Sequence, residues 1–146
     1  MNIYMLDTNI FSEAVKPEPD SSVVQKIAEN IDTCCISSIS WAEALTGVKQ
    51  MPEGSRKNRL FSYLINEVQI LYEIIPFDSH AASIYSDISE RLKAIGKPAK
   101  KFDLMIAAST IANGMILVTR NTKDFAEIRE VSSLIVENWF EIGEES

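Results

Sequence analysis

Five acidic side chains carry the chemical interest of this chain: Asp7, Glu43, Asp78, Asp103 and Asp124. Asp7 directly follows the apolar run Ile3–Leu6, Glu43 comes early in the helical stretch after Thr33–Ser37, Asp78 follows Tyr72–Phe77, and Asp124 follows Ile116–Thr119. Asp103 opens a helical stretch further from any strand. Gathered in one crevice, three or four carboxylates repel one another and are costly to keep ionised without a cation. A hard, oxygen-preferring ion, Mg²⁺ or Mn²⁺, relieves that repulsion and brings chemistry with it. It lowers the pKa of a bound water, orients it for in-line attack on phosphorus and stabilises the leaving oxygen. Other engines are nearly excluded: the chain has one histidine, His80, and no Cys-x-x-Cys, which removes most zinc sites and most nucleophile–histidine pairs.

Each acid also has a structural explanation. Glu43 completes a Ser-x-x-Glu capping box with Ser40, Asp103 can cap the helix it begins, and Asp124 follows Asn121 at cap-like spacing. Asp78 reads as a helix cap or an early helical acid, a position that the helix dipole favours in any case. Asp7 differs, because a carboxylate that follows an apolar strand, with Thr8 and Asn9 next to it, is more often functional than structural. Residue types and spacing therefore reach an acidic, metal-binding α/β site and leave Asp78 and Asp103 as alternatives.

The elements that position these acids alternate. Ile3–Leu6, Thr33–Ser37, part of Tyr72–Phe77, Ile116–Thr119 and Leu134–Val136 read as short buried strands. Between them, Asp20 or Ser21 caps a helix with Val23, Val24, Ile27 and Ala28 inward, and Ser40 opens another in which Gly47 is a weak point or early stop. A long helical pattern spans residues 56–71, and a helix from Asp78-Ser79, with stripe Ala81, Ile84, Tyr85, Ile88, Leu92 and Ile95, stops at Gly96 and Pro98. Asp103–Asn113 and Lys123–Ile128 complete the helices. Strands alternating with helices imply a mainly parallel sheet covered on both faces, with the ligand crevice beyond the strands' carboxyl ends.

The 146 residues suit a single domain, 1–146, with an acidic tail from about 141. No apolar run is long enough to span a bilayer, and the start has no basic region of a signal peptide, so the chain is expected in the cytoplasm. Adjacent Cys34 and Cys35 point to opposite faces of a strand and read as reduced core thiols. A net charge of −7 argues against indiscriminate nucleic-acid binding. The basic residues are clustered, however, at 56–59, at Lys97 with Lys100 and Lys101, and at Arg120 with Lys123.

Five segments, in this order and spacing, resemble the PIN-domain family and specifically its VapC-like toxins. They are Met5-Leu6-Asp7-Thr8-Asn9, residues 36–43 with Gly47, Phe102-Asp103-Leu104-Met105-Ile106-Ala107-Ala108, residues 117–125 and Val136-Glu137-Asn138-Trp139. The resemblance implies a three-layer α/β/α domain whose acids hold Mg²⁺ or Mn²⁺ for endonucleolytic cleavage of RNA, with tRNA or ribosomal RNA as substrate. It makes Asp7, Glu43, Asp103 and Asp124 the catalytic, metal-holding set, choosing Asp103 over Asp78. Asn9, Thr119 and Asn121 become the polar residues that support them. It further implies a cognate antitoxin, a homodimer, no membrane, and the 56–71 segment as a candidate apolar groove or dimer surface.

Two other readings compete. A haloacid-dehalogenase-like phosphotransferase also places an Asp after its first strand, but needs a second Asp two positions later, where this chain has Asn9. A non-catalytic PIN-like module binding RNA or protein fits the net charge, yet has no use for carboxylates gathered where phosphate must sit.

Overall fold

The computed structural model describes residues 1–141; most of the acidic tail expected from about 141 lies outside the described residues. Strand β1 (Tyr4–Leu6) runs into the one-turn helix α1 (Thr8–Phe11), followed by a 3₁₀ turn and α2 (Ser21–Glu29). Strand β2 (Cys34–Ser37) leads into α3 (Ser38–Lys49), then α4 (Ser55–Tyr63), a π-helical stretch (Leu64–Val68) and the short α5 (Gln69–Leu71). Next come β3 (Glu73–Ile75), α6 (Ser79–Ala94), α7 (Lys101–Ala112) and β4 (Ile116–Val118). A 3₁₀ turn (Thr122–Phe125), α8 (Ala126–Glu130) and β5 (Val136–Glu137) finish the chain. Among the described residues no helix is long and apolar enough to cross a membrane.

The strands form one sheet in the order β3-β2-β1-β4-β5, and every neighbouring pair is parallel. Successive side chains of a strand face opposite layers, so the sheet separates two cores. Leu6, Cys34, Ile36 and Val118 pack with Phe11, Val23 and Trp139 on one side. Met5, Cys35, Ile75 and Leu117 pack with Ile88, Leu104 and Ile128 on the other. The expected three layers, α/β/α, are present, and the adjacent cysteines do point apart, both free. Met5 and Leu6, at 0% exposure in central β1, each contribute on the order of 1.5–3 kcal/mol by burial.

Local details depart from the sequence expectations. Ser37, not Ser40, caps α3: its hydroxyl accepts the Ser40 N–H at 2.9 Å. Glu43 therefore sits well inside the helix and closes no capping box, and α3 runs through Gly47 to Lys49. In α2, Val23 and Ile27 are buried but Val24 and Ala28 face solvent, because a nine-residue helix against one layer buries only a narrow stripe. Ile95 likewise lies outside the buried face of α6, 46% exposed at the helix end. The last strand begins at Val136, two residues later than expected. The segment 56–71 is helical but contains the π stretch, which the apolar pattern does not announce. Asp20 and Asp78 cap their helices as read, accepting from Val23 and Ala81, and Gly96 ends α6 at φ 69°.

Candidate active site

The chain leaves β1 toward β2 and β3, then returns to lay β4 on the other side of β1, so the connections diverge between β1 and β4. A crevice opens at the carboxyl ends of strands at such a point. Asp7 and Thr119 stand there, one residue past β1 and β4. The Asp7 N–H donates to the Val118 carbonyl at 2.9 Å, extending the ladder past the strand end. The Asp7 carboxylate is then fixed by both oxygens: Oδ1 accepts the Thr8 N–H and Oδ2 accepts the Thr119 hydroxyl, each at 2.9 Å.

Thr119 is fully buried, and its oxygen also accepts from Asn9 Nδ2 at 3.3 Å and from the Asn121 N–H at 3.1 Å. Asn9 Oδ1 accepts the Arg120 N–H at 3.0 Å, tying α1 to the loop after β4. Asn9 and Thr119 thus act through their side chains, whereas Asn121 contributes its backbone N–H. Thr8 was noticed in the sequence only as a neighbour of Asp7; here its N–H holds the carboxylate and its hydroxyl reaches the Ser40 carbonyl at 3.5 Å.

Three more acids share this field. Burial is the main cause that raises the Asp7 pKa, opposed by the hydrogen bonds from Thr119 and Thr8 and reinforced by the charge of Asp124. Glu43 is raised by desolvation, then by Asp7 and Asp103. Asp103 is pushed up to about 6 by desolvation, then by Asp124 and Asp7, with Lys100 pulling the other way. The cation that acts on Asp103 is thus Lys100, one of the basic residues clustered near 97–101 in the sequence. Asp103 lies in the first turn of α7 but does not cap it, and Asp78 is engaged in capping α6. The structure therefore places Asp7 and Asp103 in one field with Asp124 on one hand and Glu43 on the other.

Among the described residues no N–H or O–H donates to the carboxylates of Glu43, Asp103 or Asp124. As they are placed, no three acids of the described chain converge to ligating distance, and mutually repelling charges are expected to stand apart. The donor set is nonetheless all oxygen, acceptor-only and short of partners, which is what a hard divalent cation selects. Beside it, Glu43, Ala44, Gly47 and Val48 of α3 face Leu60 and Tyr63 across an apolar groove of about 220 Å³.

The family model of the PIN domain matches residues 4–131. A VapC ribonuclease, Y4jK, of Sinorhizobium fredii is 38% identical over 124 residues, covering 83% of this chain and 89% of the relative. The tRNA(fMet)-specific endonuclease VapC of Shigella flexneri is 33% identical over 138 residues, covering 93% and 97%. The crystal structure of VapBC2 from Rickettsia felis, bound to a DNA fragment from their promoter, matches with TM-score 0.78 and 30% identity. That match covers 94% of this chain and 98% of the Rickettsia chain.

Proposed function

The chain belongs to the PIN-domain family, among its VapC-like ribonuclease toxins, and on that premise we propose that it is a Mg²⁺- or Mn²⁺-dependent endoribonuclease restrained by a cognate antitoxin. The observation that supports this best is the doubly hydrogen-bonded Asp7 at the β1/β4 divergence, with Glu43, Asp103 and Asp124 acting on the same field. Such a crevice repels RNA phosphate unless a cation occupies it, so carboxylates and cation form one functional unit.

Asp7 and Asp103, with Glu43 or Asp124, would hold the ion; when bound, it supplies charge neutralisation and Lewis-acid assistance at the phosphodiester. The protein's own part is positioning. Thr119 and the Thr8 N–H fix the plane of the Asp7 carboxylate and favour its ionised form. Asn9 and the Asn121 N–H fix Thr119 in turn. The remaining acid, Asp124 or Glu43, accepts the proton released when water attacks phosphorus, leaving a 5′-phosphate and a 3′-hydroxyl. RNA sets the compartment, the cytoplasm. The tRNA specificity printed for the Shigella relative makes tRNA the first substrate to try.

The apolar groove between α3 and α4 reaches Glu43, so an antitoxin segment seated in it also covers the acids, in the manner of an apolar helix face laid into a groove. The deciding experiment incubates purified, antitoxin-free protein with total cellular RNA in Mg²⁺, Mn²⁺ or EDTA, beside Asp7→Asn. The expected result is discrete metal-dependent cuts bearing 5′-phosphates and absent from the variant. Cuts that persist in EDTA or in Asp7→Asn, or no cuts with any ion, would overturn the proposal.

A further inference from the structure

A second cavity, of about 430 Å³, lies between the C-terminal half of α6 and the first turn of α7. Its polar wall consists of Tyr85, Ser89 and Lys93, successive i, i+4 positions of α6, facing Lys97 and Lys101, with Leu104 among the apolar residues beneath. No carboxylate lines it, although the chain carries 21 acidic residues against 14 basic ones. Lys97 is paired with Glu130 at 3.0 Å. Lys93 and Lys101 are exposed and have no ion-pair partner among the described residues.

Helix electrostatics explains only part of this. Lys93 lies in the last turn of α6, where the dipole favours a cation. Lys101 is the first residue of α7, at the end where the dipole disfavours one. Lys101 also shares the cavity with Lys93 and with Lys97, whose charge Glu130 already pairs. The position also matters. Lys101 and Leu104 share one face of the first turn of α7, while Asp103, in the same turn, lies about 100° round the helix from Leu104. The cavity and the acidic crevice therefore flank the same turn.

We propose that this cavity holds a backbone phosphate of the RNA close to the cleaved bond, gripped by Lys93 and Lys101 with the hydroxyls of Ser89 and Tyr85. The assignment rests on the ribonuclease reading and adds where the strand runs: from the acids across the first turn of α7 toward the end of α6. It also accounts for how a chain of net charge −7 holds a polyanion, by placing a local positive surface on the strand's path.

The test measures binding of total tRNA by the Asp7→Asn protein, which is used to prevent cutting, across a salt series. The Lys93→Gln/Lys101→Gln pair should weaken binding several-fold to about tenfold and lower the slope of log affinity against log salt by roughly 1. A control pair with the same charge change, Lys26→Gln/Lys49→Gln, should leave both nearly unaltered. In the otherwise unmodified protein, the Lys93/Lys101 pair should raise KM for tRNA cleavage with kcat held. Equal effects of the two pairs, or none from Lys93/Lys101 in a protein that cuts RNA, would overturn the phosphate site alone. Lost antitoxin binding with RNA binding intact would also overturn it, assigning the lysines to an acidic partner segment. An unmodified protein that neither binds nor cuts RNA would bring down the ribonuclease reading with it.

Discussion

Replacing Asp103 by Asn should make the metal-free protein more stable while abolishing cleavage. Asp103 titrates at about 6 rather than its ordinary 3.8, from desolvation first and then from Asp124 and Asp7. One pKa unit corresponds to about 1.4 kcal/mol, so two units set a ceiling of about 3 kcal/mol. The side chain is only partly buried, and solvent screening brings the figure to about 1–2 kcal/mol. The sign follows from linkage: the folded state binds this proton more tightly than the unfolded chain, so stability is lost as pH rises from about 4 through about 6. At pH 7.5 in EDTA, neutral Asn removes the cost, and a chain of this size should gain about 3–6 °C in Tm. At pH 5, about midway through that window, the gain should fall to roughly half, and it should approach zero only below about pH 4. Mg²⁺ or Mn²⁺ should raise the Tm of wild type more than that of the variant. Melting curves at both pH values, with and without metal, check all three statements. A variant that melts lower at pH 7.5, or gains equally at both, would refute the shared-field account of the acids.

Three other outcomes follow from particular contacts. Thr119→Ala should cut kcat/KM for RNA roughly 10–100-fold with the fold retained. It should also shift the acid limb of the pH–rate profile upward, because the Thr119 hydrogen bond holds the Asp7 pKa down; Thr119→Ser should restore both. Gly47 lies mid-helix in α3 on the groove wall, and a Cβ there meets nothing within 4 Å. Gly47→Ala should therefore stabilise the protein by about 1 kcal/mol in denaturant titration, whereas Gly47→Leu should fill the groove and block antitoxin binding while RNA cleavage continues. Phe61, Ile70 and Leu71 are exposed on one segment at 42%, 76% and 54%, so sedimentation equilibrium should return a dimer of the 16.4 kDa chain. A single-chain mass would leave that apolar surface to the antitoxin alone.

The sheet and most helix boundaries were legible because burial imposes a period. Cys34 and Cys35 serve opposite cores, as alternation demands, and Asp20 and Asp78 cap as their chemistry suggests. The α3 cap was misread because two serines compete: Ser40-x-x-Glu43 satisfies the capping pattern, but β2 ends at Ser37, whose hydroxyl is already within 2.9 Å of the Ser40 N–H. Spacing could not separate Asp78 from Asp103 either, since both open helices and only the packing of α7 against β4 and α3 decides which meets Asp7. The action of Lys100 on Asp103 was not legible because it depends on how the start of α7 is placed, not on a motif. The π stretch at 64–68 has no signature in the apolar pattern.

Net charge was the strongest argument against a nuclease, and the structure shows why it misleads. A value of −7 bears on RNA binding only if charge is spread evenly. Here Asp7, Glu43, Asp103 and Asp124 concentrate negative charge at one end of the sheet, where the proposed divalent cation would neutralise part of it and invert the local field. On the other side of the first turn of α7, a cavity is lined by three lysines and no acid. The two features are complementary: without the cation the crevice repels the strand that the lysines attract. Metal should therefore tighten RNA binding as well as permit cutting. Affinity of the Asp7→Asn protein for tRNA should rise less with Mg²⁺ than that of Thr119→Ala, which retains all four carboxylates. Equal gains in both would mean that the ion acts on the RNA and not in the crevice.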